Sequence, residues 1–148
     1  MTRSVCRLPV LAVLVGSVIT DIAQAHDTRQ GNLHIGHSWT KPAPAGGAAE
    51  VYFGLVNRGA QAGRIVGADT PVASRTLLAE TTGNTVAPRT AIELPAGRPV
   101  PLRPGRLHIR LEGLGQALAR GESFPLTLHF AGSPPVVITV VVESEAGH

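Results

Sequence analysis

Apolar and polar residues alternate with a period of two through most of this sequence, and Pro and Gly interrupt the pattern repeatedly. Side chains two apart in an extended chain share one face, so the pattern predicts half-buried β-strands. No segment sustains a helical period. The sequence therefore predicts an all-β protein, a sandwich or barrel of antiparallel strands. The predicted strands are Asn32–Trp39, Ala49–Asn57, Arg64–Ala68, Arg75–Thr82, Val86–Pro88, Ala91–Leu94, Leu107–Glu112, Phe124–Ala131 and Val136–Glu143.

Segments rich in Pro and Gly separate these strands. Residues 42–47 predict a loop, and Leu-Arg-Pro-Gly at 102–105 predicts a type II turn. Ser-Pro-Pro at 133–135 predicts the hairpin connection between the last two strands. Residues 114–120 predict one short helical turn that ends before Gly121.

The first 25 residues have the three parts of a secretory signal peptide. A basic start precedes an apolar run from Leu8 to Ile19, and Ala-Gln-Ala at 23–25 provides a cleavage site. The apolar run is shorter than the roughly 20 residues of a membrane span, although a retained anchor is the alternative. We predict cleavage after Ala25, export to the periplasm without stable membrane insertion, one domain over residues 26–143 and a flexible tail at 144–148.

Cleavage would remove the single methionine and the single cysteine, Met1 and Cys6. Cys6 lacks the small-residue context of a lipid-attachment site, so we interpret it as incidental. The exported chain would then hold any metal through nitrogen and oxygen ligands.

The exported chain would carry 11 basic and nine acidic side chains. It would also have few aromatics and no stacking platform, which excludes a nucleic-acid-binding surface. A loose cluster could meet an acidic partner or simply be solvated: Arg98, Arg103, Arg106 and Arg110.

Strand alternation assigns a face to each histidine. His108 shares the outer face of its strand with Arg110 and is expected to be accessible, and His129 is expected to point into solvent. His34 and His37 lie three residues apart on a strand, so they should face opposite ways, with His37 packed and hydrogen-bonded inside. His26 would become the new N-terminus, where an α-amine and an imidazole can chelate Cu(II). A frayed terminus that binds metal weakly is the alternative.

Several stretches, in order, resemble the periplasmic copper chaperones of the PCu(A)C family. The matching stretches are AHDTRQGNLHIGHSWTKPAPAG, AAEVYFGLVNRG, IELPAG, LRPGRLHIRLEGL and RGESFPLTLHF. The resemblance implies a cupredoxin-like, Greek-key antiparallel β-sandwich that delivers Cu(I) for cytochrome oxidase assembly. It also implies a Cu(I) site of two histidines and two methionines, because soft thioethers suit the soft ion.

The residues at those four places depart from the family's pattern. His108 stands at one histidine place and Ala79 at the other, while Val86 and Arg110 stand where methionines are expected. A guanidinium cannot coordinate and would repel an arriving cation. The sequence therefore predicts a degenerate Cu(I) site, with His108 and His26 as the candidate metal ligands and copper, as Cu(II), as the candidate cofactor.

Two functions stay open at this point. One is an exported, monomeric copper chaperone-like protein with a periplasmic partner, in which His108 joins harder donors to bind Cu(II) or Zn(II); the candidate donors are His26, Asp27, His34 and His148. The other is a metal-free periplasmic binding or assembly module that kept the fold. An enzyme is not predicted, because no catalytic triad or paired-carboxylate motif is present.

Overall fold

A computed structural model describes residues 27–144. The chain forms twelve strands in these residues, which are β1 Thr28–Gln30, β2 Leu33–Ile35, β3 Ser38–Thr40, β4 Ala48–Asn57, β5 Gly63–Asp69, β6 Ala73–Thr82, β7 Thr85–Pro88, β8 Ile92–Leu94, β9 Pro99–Leu102, β10 Leu107–Leu114, β11 Ser123–Phe130 and β12 Ser133–Val142. The predicted all-β class is confirmed. Within this part of the chain, no helix is long and apolar enough to cross a membrane.

The strands pair in the order β7-β6-β10-β4-β3-β12-β11-β5-β8, and β2 and β9 join the second half of β4. β3 and β12 run parallel, and the other pairs among the twelve strands are antiparallel. Alternate residues of the long strands form one apolar core, as Val51, Ile109 and Leu126 show by being fully inaccessible. β4 connects the two groups of strands, because its first half pairs with β3 and β10 and its second half with β2 and β9.

Three local predictions are wrong. The single strand predicted over Asn32–Trp39 divides at Gly36 and His37, because β2 pairs with the end of β4 whereas β3 pairs with its beginning and with β12. No helical turn forms at 114–120, because the backbone groups of Leu118 bond to Ala43 across the sheet. The last hairpin turns at Ala131 and Gly132, not at the prolines, since Gly132 supplies the positive φ of 70°.

Two short strands, β1 and β9, were not predicted. β1 is polar, and β9 contains two prolines, so neither shows the apolar alternation of a strand. The predicted type II turn is confirmed: Gly105 has a φ of 74°, and the amide of Arg106 donates to the carbonyl of Arg103 at 3.1 Å. This turn leads directly into β10 and positions its first residues.

Candidate metal centre

The outer face of β10 carries His108 beside the first half of β4. Antiparallel pairing places His108 opposite Ala79 of β6, and Arg110 opposite both Leu77 of β6 and Glu50 of β4. The core side of the same strand is taken by aliphatic residues such as Ile109. The strand register therefore gathers one imidazole, one guanidinium and one carboxylate on a single surface.

His108 is buried, with 0% of its side chain exposed, so the expectation of an accessible imidazole is wrong. The centroid of its ring lies 6.4 Å from the centroid of the Tyr52 ring, edge to face. The ring centroids of Tyr52 and Trp39 are in turn 4.8 Å apart. Alternation correctly puts His108 on the outer face. Exposure also depends on the neighbouring side chains, however, and the large residues of β3 and β4 lie along this face.

Among the described residues, one ring nitrogen of His108 has a hydrogen-bond partner and the other has no hydrogen bond. Nδ1 lies 2.9 Å from the carbonyl oxygen of Arg106. Because a carbonyl only accepts, Nδ1 carries the hydrogen, and Nε2 of the neutral ring keeps its lone pair. Nε2 is buried without a hydrogen-bond partner among the described residues. This is the orientation in which histidine ligates metals, with the second nitrogen held by a backbone carbonyl.

Glu50 is the carboxylate closest to this nitrogen, with its Oε1 3.5 Å from His108 Nε2. The same oxygen lies 3.5 Å from a terminal nitrogen of Arg110, and the other carboxylate oxygen accepts a 2.5 Å hydrogen bond from the hydroxyl of Tyr52. Burial, this hydrogen bond and the charge of Glu50, in that order, raise the pKa of Tyr52 above its usual range. Tyr52 therefore remains a hydrogen-bond donor to Glu50.

Arg110 is held on its other side by Glu112, to which its Nε donates at 3.0 Å. Glu112 also pairs with Arg75 at 3.8 Å. The side chains of Arg110 and Glu50 are 29% and 28% exposed, whereas that of His108 is 0% exposed, so solvent reaches the first two groups but not the imidazole. Sequence reasoning missed Glu50 and Tyr52. Alternation along Ala49–Asn57 would place both on the outer face, but their pairing with β10 is a long-range feature.

The other candidate donors lie elsewhere or outside the described residues. His34 lies opposite Val56 of β4. Val56 is four residues, or about 13 Å, along the strand from Tyr52, and His108 lies beside Tyr52. His34 is therefore not brought to His108. The pKa of His34 is lowered, first by desolvation and then by the charges of Arg58 and Arg29, with Asp27 opposing. His26 and His148 fall outside the described residues, and the role of His26 as a ligand stays a prediction.

Two further histidines are paired with carboxylates. His37 forms the predicted hydrogen bond, to Glu143 at 2.9 Å, but it lies between β2 and β3 with its side chain 25% exposed, so it is not packed inside as predicted. His129 is 44% exposed, as predicted, and contacts the carboxylate of Asp69. Between residues 27 and 144, no group of three or more His, Cys, Asp or Glu side chains is arranged to hold a metal ion.

The sequence model of one protein family, described as "Putative lipoprotein LpqE-like", matches residues 33–142. The chain belongs to the LpqE-like family. A relative in Leifsonia xyli subsp. xyli (strain CTCB07), "Putative lipoprotein Lxx21020", is 29% identical over 157 residues, which cover 99% of this chain and 93% of the relative.

Solved structures similar to this LpqE-like protein include PCuAC domains. The apo PCuAC domain from PmoF1 superimposes with a TM-score of 0.71 at 22% identity, over 81% of this chain and 100% of that one. The copper-bound PCuAC domain from PmoF2 gives 0.69 at 25% identity, over 81% and 99%. The solution structure of CuI-DR1885 from Deinococcus radiodurans gives 0.63 at 24% identity, over 74% and 76%. The predicted cupredoxin-like β-sandwich is confirmed.

The structure also shows where this LpqE-like protein places the residues that the PCu(A)C resemblance assigned to the copper site. Ala79, Val86 and Arg110 line one cavity of about 310 Å³ on the outer face of β6, β7 and β10. The remaining lining residues are Arg75, Leu77, Pro88 and Glu112. The three assigned positions are therefore neighbours, beside the buried His108, but the cavity presents aliphatic carbons and guanidinium groups with a single carboxylate.

Proposed function

We propose that this protein is an exported copper chaperone-like protein with a degenerate Cu(I) site, which handles copper through nitrogen and oxygen donors. The observation that carries the proposal is the buried Nε2 of His108, which is oriented by the Arg106 carbonyl and has no hydrogen-bond partner in the described part of the chain. The fold shared with PCuAC domains, one of them copper-bound, supports copper as the cargo. The protein acts as a carrier and not as an enzyme.

The available donors favour Cu(II) over Cu(I). Met1 and Cys6 are the only sulfur-containing residues, and both precede the predicted cleavage site. Imidazole and carboxylate suit Cu(II), whereas Cu(I) is selected by thiolates and thioethers. The positions that would supply soft ligands in the PCu(A)C pattern hold Ala79, Val86 and Arg110. Tight Cu(I) binding at this place is therefore not expected.

Export and delivery belong to the same proposal. The N-terminal pattern of residues 1–25 and the lipoprotein name of the Leifsonia relative support a location outside the cytoplasm. The resemblance to PCu(A)C chaperones supports transfer of copper to a periplasmic partner, with cytochrome oxidase assembly as the destination. Sequencing the N-terminus of the exported protein should find His26 first, and an intact leader would contradict the predicted cleavage.

Metal titration of the exported protein tests the copper proposal. We expect Cu(II) to give an electron paramagnetic resonance signal with nitrogen coupling and to quench the single Trp39, which contacts Tyr52 beside His108. Both effects should be lost in His108→Ala and kept in the control His129→Ala. Cu(I), titrated against a competing chelator, should remain with the chelator. Sub-micromolar Cu(I) binding that depends on His108 would overturn the account of the site.

A second function, a metal-free periplasmic binding or assembly module, is favoured by one observation. The Arg110 guanidinium lies beside Glu50 and lines the cavity where the soft ligands would be expected. Arg110 and its neighbours could then recognise a carboxylate or an acidic surface on a partner. Absence of both Cu(I) and Cu(II) binding by the exported protein would establish this function over the first. Cu(II) binding that is lost only when a residue is added before His26 would place the metal at the N-terminus.

A further inference from the structure

One oxygen atom, Glu50 Oε1, is shared by two groups of opposite character. It lies 3.5 Å from His108 Nε2, which presents a lone pair in the neutral ring, and 3.5 Å from the permanently charged Arg110 guanidinium. Two lone pairs that face each other at this distance are unfavourable unless a cation lies near both. The guanidinium of Arg110 supplies that charge to Glu50, whereas His108 Nε2 gains no hydrogen bond from the guanidinium.

The spacing of the two lone pairs suits a divalent metal ion. First-row ions bind imidazole nitrogen and carboxylate oxygen at about 2.0–2.2 Å, which puts two adjacent donors of one coordination shell roughly 3 to 3.5 Å apart. The observed 3.5 Å between Nε2 and Oε1 is at the upper end of that range. Both donors are already oriented, because Arg106 holds the imidazole and the Tyr52 hydroxyl holds the second carboxylate oxygen.

Arg110 can leave Glu50 without losing its other ionic partner. Its Nε donates to Glu112 at 3.0 Å, a shorter contact than the 3.5 Å to Glu50, and its side chain is partly exposed. An arriving cation would therefore compete with the guanidinium for Glu50 only. Removal of the guanidinium also removes a like charge from the immediate surroundings of the ion.

We infer that Glu50 and His108 form a hard-donor site for a divalent cation, Cu(II) or Zn(II), and that Arg110 is its resident counter-cation, which the metal must displace. The inference deepens the proposed function, on which it rests for the identity of copper as the cargo. Two protein donors leave the other coordination positions to water or to a ligand from a receiving protein. A carrier that holds its ion through only two protein donors can release it readily.

The test compares metal affinities of the exported protein and four variants, each measured with Zn(II) and Cu(II) against a chromophoric chelator. Arg110→Gln should bind at least about tenfold more tightly than wild type, a change of about 1.4 kcal/mol, and Arg110→Ala should do the same, which excludes coordination by the new amide. Glu50→Gln combined with Arg110→Gln should lose that gain. Arg75→Gln is the matched control, because it removes the same charge from the same face at a residue that is 66% exposed and pairs with Glu112. We expect it to change affinity by no more than about twofold.

Two results would overturn the inference. Equal gains in Arg110→Gln and Arg75→Gln would indicate a general charge effect, and an unchanged gain without the Glu50 carboxylate would remove Glu50 from the site. The proposed function fails separately. If wild type binds no Cu(II) but Arg110→Gln binds it through Glu50, the site stands and the copper-carrier function falls. If wild type binds Cu(II) with no dependence on Arg110 or Glu50, the function stands and the inference falls.

Discussion

His108 and His129 each lie on the outer face of a strand between two apolar residues that point inward, yet one side chain is fully buried and the other is 44% exposed. The difference comes from their cross-strand neighbours. His129 lies opposite Gly67, which has no side chain to cover the imidazole. His108 lies beside Tyr52, and Glu50 Oε1 is 3.5 Å from its Nε2. Alternation determines which face of the sheet a residue lies on, but the side chains of the neighbouring strands determine whether the residue is exposed to solvent.

The largest expected effect is a difference in the free energy of unfolding between alanine variants of these two histidines. His108→Ala should lower the free energy of unfolding by about 2–4 kcal/mol, because it leaves a cavity and removes the bond to the Arg106 carbonyl. His129→Ala should change it by no more than about 0.5 kcal/mol, as expected for an exposed site. Urea denaturation followed by Trp39 fluorescence measures both. Similar losses in the two variants would contradict the difference in burial.

The same contrast shows what sequence reasoning could and could not predict. The long strands were predicted because each carries its own apolar alternation, as in Leu107–Glu112, and this was enough for the fold class. β9 was missed because its two prolines disfavour a strand prediction from sequence, whereas the strand forms by pairing with β4.

The candidate site was predicted only in part, for the same reason. His108 and Arg110 were found because they are close in sequence, within one motif. Glu50 lies about sixty residues away, and its place beside them depends on the register between β4 and β10, which no local pattern specifies.

Alkaline titration of Tyr52 should sharpen the picture of the buried region. Tyr52 is the only tyrosine, so absorbance at about 295 nm reports it alone. Because its pKa is raised in the folded state, the phenol should stay protonated at about pH 11, where an ordinary tyrosine is mostly ionised. Its contribution to stability is present below the ordinary pKa of 10.0 and is lost as the pH rises through the folded value.

Glu50→Gln provides the control for this titration. The substitution removes the carboxylate charge that helps to raise the pKa of Tyr52, while burial, the first cause, remains. The phenol should then ionise at a lower pH than in wild type, though still above an ordinary tyrosine. Circular dichroism at each pH has to show that the chain is folded, and ionisation of the folded wild type near pH 10 would refute the proposed environment.

The exposed pair of His129 and Asp69 should respond to salt. Asp69→Asn removes the carboxylate that contacts His129, and both side chains are largely exposed. We expect a loss of no more than about 0.5 kcal/mol in the free energy of unfolding, and expect it to vanish in about 1 M salt. Denaturation at low and high salt measures this. A loss that persists in high salt would show that the pair is less hydrated than its exposure indicates.

The smallest expected effect concerns His34, which lies on β2 opposite Arg29 of β1 and Val56 of β4. Its pKa is lowered from 6.5 by desolvation and by the charges of Arg58 and Arg29. Because the folded state binds the proton less readily than the unfolded state, the stability from this group is present above 6.5 and is lost as the pH falls through the folded value. Arg58→Gln should therefore raise the pKa of His34 in an NMR titration, since one repelling charge is removed. The control Arg103→Gln lies on the Pro-Gly turn, away from His34, and should leave that pKa unchanged. Equal shifts in the two variants would mean that His34 senses the net charge of the protein and not its neighbour.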